Sequence, residues 1–91
     1  MAFEWDETRR EANLVKHGVD FRRMAQLFDG PTVKVGDDRQ DYGETRIHCL
    51  GEIEGRVFAV AYAWRGANRR IISARKANAR ERKTYYARVK R

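Results

Sequence analysis

Apolar positions along the chain change period several times, and each change marks an element. Phe21, Met24, Ala25 and Phe28 fall at i, i+3, i+4 and i+7, one face of a helix from Phe21 to about Phe28. Upstream, Ala12, Leu14 and Val15 make only a thin stripe, so a helix from Thr8 to about Lys16 must be held by tertiary packing. Local chemistry marks its limits. Asp6 is placed to cap the N-terminus, Glu7 lies where the helix dipole favours a carboxylate, and Gly18 stands where a left-handed residue ends a helix. Asp20 caps the second helix and Asp29-Gly30-Pro31 ends it. With so short a connection the two helices form a hairpin. Phe3-Glu4-Trp5 reads as a brief opening strand.

From Thr32 the period drops to two. Thr32 to Val35 is a short extended run, and residues 36–43 are polar and read as a loop. Thr45 to Ile53 alternates, with Ile47 and Cys49 on one face and Arg46, His48 and Leu50 on the other. Glu54-Gly55 makes a hairpin turn. Val57 to Trp64 is apolar on both faces, the mark of a central strand covered on both sides. Gly66-Ala67-Asn68 turns the chain into Arg69-Arg-Ile-Ile-Ser-Ala-Arg-Lys76. Strict alternation there puts Arg69, Ile71, Ser73 and Arg75 on one face and Arg70, Ile72, Ala74 and Lys76 on the other. Each face has an apolar middle and cationic ends, suited to holding an anion at the rim of a sheet. Asn78 with Glu81 three residues on resembles a capping box. It opens a helix from Ala79 to about Val89 that can turn Ala79, the stem of Arg82, Tyr85, Tyr86 and Val89 to the sheet and leaves a basic outer face. The expectation is one α+β domain over residues 1–91: an N-terminal helical hairpin, a twisted antiparallel sheet of about four strands, and a C-terminal helix.

Composition narrows the function. Ninety-one residues suffice for one small core. No apolar run approaches the ~18–20 residues of a membrane span, and the opening residues lack the pattern of a signal peptide. Cys49 is the single cysteine, which fits a cytosolic setting without an internal disulfide. One thiol and two histidines argue against structural zinc. Asp37, Asp38 and Asp41 match no calcium-loop spacing, so no metal and no cofactor is expected. The net charge of +7 is unevenly placed: residues 1–64 hold nine basic and twelve acidic residues, residues 65–91 eleven and one. A folded cationic surface of this kind attracts a polyanion or an acidic protein partner.

Cutting RNA without a metal needs a base for the 2′-hydroxyl proton, an acid for the leaving 5′-oxygen, and fixed cations for the charge on phosphorus. His17, His48, Glu44 and Tyr62 are the candidates for proton transfer. Arg46, Arg75, Lys76 and Lys16 are the candidates for charge stabilisation, with Arg69 and Arg70 beside them as RNA-binding cations. Arginine suits phosphate because its planar fork meets two oxygens at once. Plainer readings stand beside these. His17 next to Gly18 also reads as a C-terminal helix cation, Arg46 with Glu44 as a surface ion pair, and His48 as an exposed strand residue. Arg75 is harder to set aside, because few acidic residues neighbour it in sequence.

Phe3-Glu-Trp-Asp6, Asn13-Leu-Val-Lys-His-Gly-Val-Asp-Phe21, Asp37-Asp-Arg-Gln-Asp-Tyr-Gly-Glu-Thr-Arg46, Arg70-Ile-Ile-Ser-Ala-Arg-Lys-Ala77, Glu81 and Tyr85-Tyr86 occur in this order. Together they resemble the BrnT toxins over nearly the whole chain. The resemblance implies a RelE-like fold and a cytoplasmic ribonuclease toxin of a type II toxin–antitoxin system that arrests translation by cleaving RNA. It implies a BrnA-like antitoxin with a ribbon-helix-helix part, through which alone the pair meets operator DNA. Lys16, His17, Glu44, Arg46, Arg75 and Lys76 are the positions it marks. One departure is Trp64, where the family often has an acidic residue before the arginine. A proton-transfer role for that acid would fall here to Glu44 or His17. The alternative to an enzyme is a basic module that binds RNA or antitoxin without chemistry, marked by steeply salt-dependent binding and no cleavage.

Overall fold

A computed structural model describes residues 2–36, 39–41 and 44–89, without the side chains of Arg39, Gln40, Asp41 and Glu44. Five strands form a mixed sheet in the order β1-β6-β5-β4-β2: β1 (Phe3–Glu4), β2 (Thr32–Lys34), β4 (Glu44–Ile53), β5 (Arg56–Arg65) and β6 (Asn68–Lys76). A short β3 (Arg39–Asp41) pairs with the start of β4, off that path. Two α-helices, α1 (Glu7–His17) and α2 (Ala79–Arg88), flank a 3₁₀ helix, η1 (Phe21–Asp29). The α+β class is as expected, with two corrections. The sheet is larger than a four-strand antiparallel meander, because β1 adds in parallel along β6 and part of the expected 36–43 loop pairs as β3. The second half of the hairpin is 3₁₀. Its fully buried residues are Phe21, Met24 and Leu27, a spacing of three, and side chains three apart eclipse in a 3₁₀ helix. Leu27 packs so closely on β4 that a Cβ on Gly51 would overlap its side chain.

The expected caps are present. Asp6 accepts from the Thr8 N–H, and Gly18 adopts φ 71° and donates to the Leu14 carbonyl. Asn78 and Glu81 complete a capping box at α2. Glu54 and Gly55 both take positive φ, 51° and 82°, as a twisted two-residue hairpin turn between β4 and β5 requires.

α1 has little apolar surface to offer and is held by polar contacts. Asn13, buried, donates from Nδ2 to the carbonyls of Val19 (2.9 Å) and Ala74 (2.8 Å) and accepts from the Ala74 N–H (3.2 Å). It thereby satisfies the outer edge of β6 as another strand would. Arg10, also buried, is paired with Glu7 and with Asp20 at 3.2 Å. Asp20 caps η1 as well, accepting from the backbone and guanidinium of Arg22.

Donation from Arg22, outweighing burial, with Arg10 adding charge, lowers the Asp20 carboxyl from 3.8 to about 2. A depressed folded pKa contributes stability above the unfolded value, lost as pH falls through the folded one. We expect Asp20→Asn to flatten the fall in thermal stability between about pH 4 and pH 2. The difference should be on the order of 1–2 kcal/mol after screening of the exposed Arg22. Parallel pH–melting curves for the two proteins would remove Asp20 from that role.

The sheet buries two faces. η1, with Val19 just before it, covers one, over Ile47, Cys49, Phe58, Val60, Tyr62, Ile71 and Ala74, while α1 lies along the β6 edge. α2 covers part of the other, over Val33, Leu50, Val57 and Ala77, with Tyr85 buried and donating its hydroxyl to the Pro31 carbonyl at 3.0 Å. Cys49 lies beneath η1, and burial pushes its thiol up to about 11. It should therefore resist Ellman's reagent in the native protein and react once denaturant is added. Rapid labelling of native protein would contradict its placement.

β6 departs from strict alternation. Ala61 pairs with Ser73 while Tyr62 pairs with Ile71, so Ile72 is an extra residue and β6 carries a bulge. The bulge reverses the phase of the strand. Ile71 and Ala74 pack on the helical-hairpin side, while Ile72 joins Ala61 and Ala63 on the α2 side. The four-and-four division expected for Arg69–Lys76 is thus broken: Arg69 and Arg75 lie on opposite faces.

Candidate functional site

Beyond α2, small residues floor part of the same face of the sheet. Two rows of paired positions cross it, His48–Ala61–Ser73 and Leu50–Ala59–Arg75. Alanine at the centre of each row lowers the floor beneath longer side chains on β4 and β6. The result is a cleft of about 540 Å³, lined by His48, Ser73, Arg75 and Glu81 and rimmed by Val35 and Gly36.

Arg75 is the organising cation of the cleft. Its guanidinium meets Glu81 through both arms, Nη1 to Oε1 and Nη2 to Oε2, each at 2.8 Å. Glu81 Oε1 also accepts the Asn78 N–H at 2.9 Å, so the cap of α2 and the aim of Arg75 are one network. The forked pair holds Glu81 below the usual carboxylate range and raises Arg75, so both remain charged at neutral pH. The Arg75 side chain is still 44 % exposed, enough for its outer edge to receive an anion.

The other expected residues divide into groups. Arg46 lies on the face of His48, two residues before it, but four residues along β4 from Leu50, about 13 Å at strand rise. It therefore flanks the cleft and is not part of its lining. Arg70 pairs with Ala63 on the same side of the sheet and donates to Glu4 at 3.1 Å. Lys16 and His17 end α1. β1 runs parallel to β6, and α1 carries the chain in that sense from Glu4 beside Arg70 to Asn13 beside Ala74. Their turn thus lies toward the Arg75 end of β6, with Lys16 exposed and His17 half-buried. Glu44 opens β4, with its side chain outside the described residues, as are Asp37 and Asp38.

Two expected RNA-binding cations do not join the cleft. The bulge turns Arg69 to the other face, where its guanidinium stacks on Phe28 at 4.2 Å, Trp64 at 4.7 Å and Tyr62 at 5.3 Å. Lys76 pairs with Phe58 and shares the phase of Ala74, on that same face. Tyr62, a candidate for proton transfer, is buried there too. Trp64 stands edge-on to Tyr62 at 5.8 Å, so it packs on the sheet while remaining part-exposed. Sequence reasoning misses Ser73 and the Arg75–Glu81 pair. A signal for the pair is present, since Glu81 is the sole acidic residue in 65–91, six positions after Arg75.

Chemically the cleft offers a forked cation and a hydroxyl on β6, and an imidazole on β4 across a low floor. That set can grip a tetrahedral anion and move a proton beside it. Among described residues no three of His, Cys, Asp and Glu gather as metal ligands would, and no helix is long and apolar enough to cross a membrane. No curated protein matches the chain. The model of one family does, over residues 5–81: the ribonuclease toxin BrnT of type II toxin–antitoxin systems.

Proposed function

The chain belongs to the BrnT ribonuclease toxins of type II toxin–antitoxin systems, and from that premise we propose a metal-independent endoribonuclease that arrests translation by cutting RNA in the Arg75 cleft. The observation that carries this reading is that His48, Ser73 and Arg75 line one cleft. The substrate's 2′-hydroxyl attacks the adjacent phosphorus while a base takes its proton. The bond from phosphorus to the 5′-oxygen breaks, that oxygen gains a proton, and a 2′,3′-cyclic phosphate remains. Arg75 binds the oxygens of the scissile phosphate and stabilises the charge that grows on them. His48, in the same cleft, moves a proton. Lys16 and His17 act from the end of α1, where Lys16 adds charge and His17 is the second proton-transfer group. Arg46, farther along the face, holds a neighbouring phosphate, with Glu44 two residues before it.

The partner in this reading is a BrnA-like antitoxin whose ribbon-helix-helix part carries the pair to operator DNA. The fold is read as RelE-like and the setting as cytoplasmic. Neutralisation follows if the antitoxin covers the cleft, so a complex that leaves His48 and Arg75 solvent-accessible would speak against occlusion.

The expected result with purified protein is cleavage of single-stranded RNA in EDTA, leaving 2′,3′-cyclic phosphate and 5′-hydroxyl ends. Steeply salt-dependent binding with no product at any protein concentration would instead identify a non-catalytic basic module.

A further inference from the structure

A second groove opens from the cleft. It holds about 430 Å³ between α2 and β2 and shares the walls Val35, Gly36 and Glu81 with the cleft. Arg80, Thr84 and Arg88 stand at four-residue intervals along one stripe of α2, and Lys34 of β2 lines the groove with them. The acid at the junction, Glu81, is already forked by Arg75, and the α2 wall of the groove carries Arg80 and Arg88. Eight residues of helix set the two arginines about 12 Å apart along the axis. A single strand carries a phosphate at every nucleotide, so the two arginines can each meet a phosphate of one strand. Thr84 and Arg88 lie beyond the residues that the family model matches.

We propose that this groove is a second subsite for the RNA backbone, holding phosphates that flank the one in the Arg75 cleft. It rests on the ribonuclease reading, and its class of ligand follows from continuity: a strand seated on Arg75 has an open cationic path along α2.

The test compares the wild-type protein with Arg80→Gln/Arg88→Gln on a single-stranded RNA of about ten nucleotides and on a dinucleotide. The longer RNA should show a KM about tenfold higher with kcat kept. The slope of log kcat/KM against log salt should be shallower by about 1.4, two contacts at ~0.7 each. The advantage of the long substrate over the dinucleotide should shrink about tenfold. Arg80→Lys/Arg88→Lys should restore most of it, since a point charge suffices for a phosphate. An unchanged KM and salt slope would overturn the proposal, as would an equal loss on the dinucleotide. Weaker antitoxin binding with RNA kinetics intact would also overturn it and give the groove to the protein partner. If wild-type protein cleaves nothing, the ribonuclease reading fails separately. The groove is then judged by equilibrium binding of the longer RNA, where the same change in slope is required.

Discussion

Replacing Arg75 with alanine should lower RNA cleavage by about 10²–10³-fold in kcat, the scale seen when one preorganised donor to a developing oxyanion is removed. The fold should survive. Arg75 is nearly half exposed, and its pair with Glu81 contributes under about 1 kcal/mol in such a setting. Glu81 keeps its cap on Asn78 without it. Loss of activity at an unchanged melting temperature is therefore chemical in origin. Arg75→Lys should fall between the two, because an ammonium keeps the charge but cannot reproduce the fork. Toxicity and cleavage that persist in the alanine variant would remove Arg75 from the site.

The largest effect on stability should come from Asn13. Alanine there leaves the Val19 and Ala74 carbonyls and the Ala74 N–H without their partner, at about 1–3 kcal/mol for each buried group, less whatever water recovers. A net cost of about 2–4 kcal/mol corresponds to a melting temperature lower by at least ~10 °C. The nearly isosteric Asn13→Asp should be worse at neutral pH. A carboxylate would face two carbonyl oxygens where Nδ2 now donates, and it would be buried among acceptors. Those acceptors raise the folded pKa of the introduced carboxyl above its unfolded value. The deficit of this variant is therefore full at neutral pH and shrinks as pH falls through that raised value, because the protonated acid donates again. Thermal melts of both variants from pH 7 to pH 4 test this. An Asn13→Asp protein as stable as wild type throughout would show that Asn13 does not hold α1 to the sheet.

Much of this architecture was legible because local signals are short-range. Asp6, Gly18, Asp20 and the Asn78–Glu81 box each act within four residues, and each is where its side-chain chemistry places it. The two-faced apolar run of β5 announced the centre of the sheet. What was not legible depends on partners far apart in sequence. Asn13 reads as an ordinary polar helix residue until Ala74, sixty-one positions later, comes beside it. The 3₁₀ geometry of η1 was hidden because Phe21 and Met24 fit both a period of 3.6 and one of 3.0, and Leu27 decides between them. The bulge at Ile72 carries no signature in Ile-Ile-Ser, since any of the three could take the extra place. Yet that one residue determines which arginines share a face. It turns Arg69 away from the candidate site and leaves Arg75 on the same face as His48.

The aromatic nest around Arg69 bears on how the basicity of this chain should be understood. One guanidinium touches Phe3 from β1, Phe28 from η1, and Tyr62 and Trp64 from β5, and so rivets three elements to β6. Arg10, deep between α1 and η1, does similar work with carboxylates. Positive charge here is partly mortar. A polyanion approaching the molecule meets a smaller cationic footprint than a tally of lysines and arginines implies, and its grip should loosen with added salt more gently than that tally predicts.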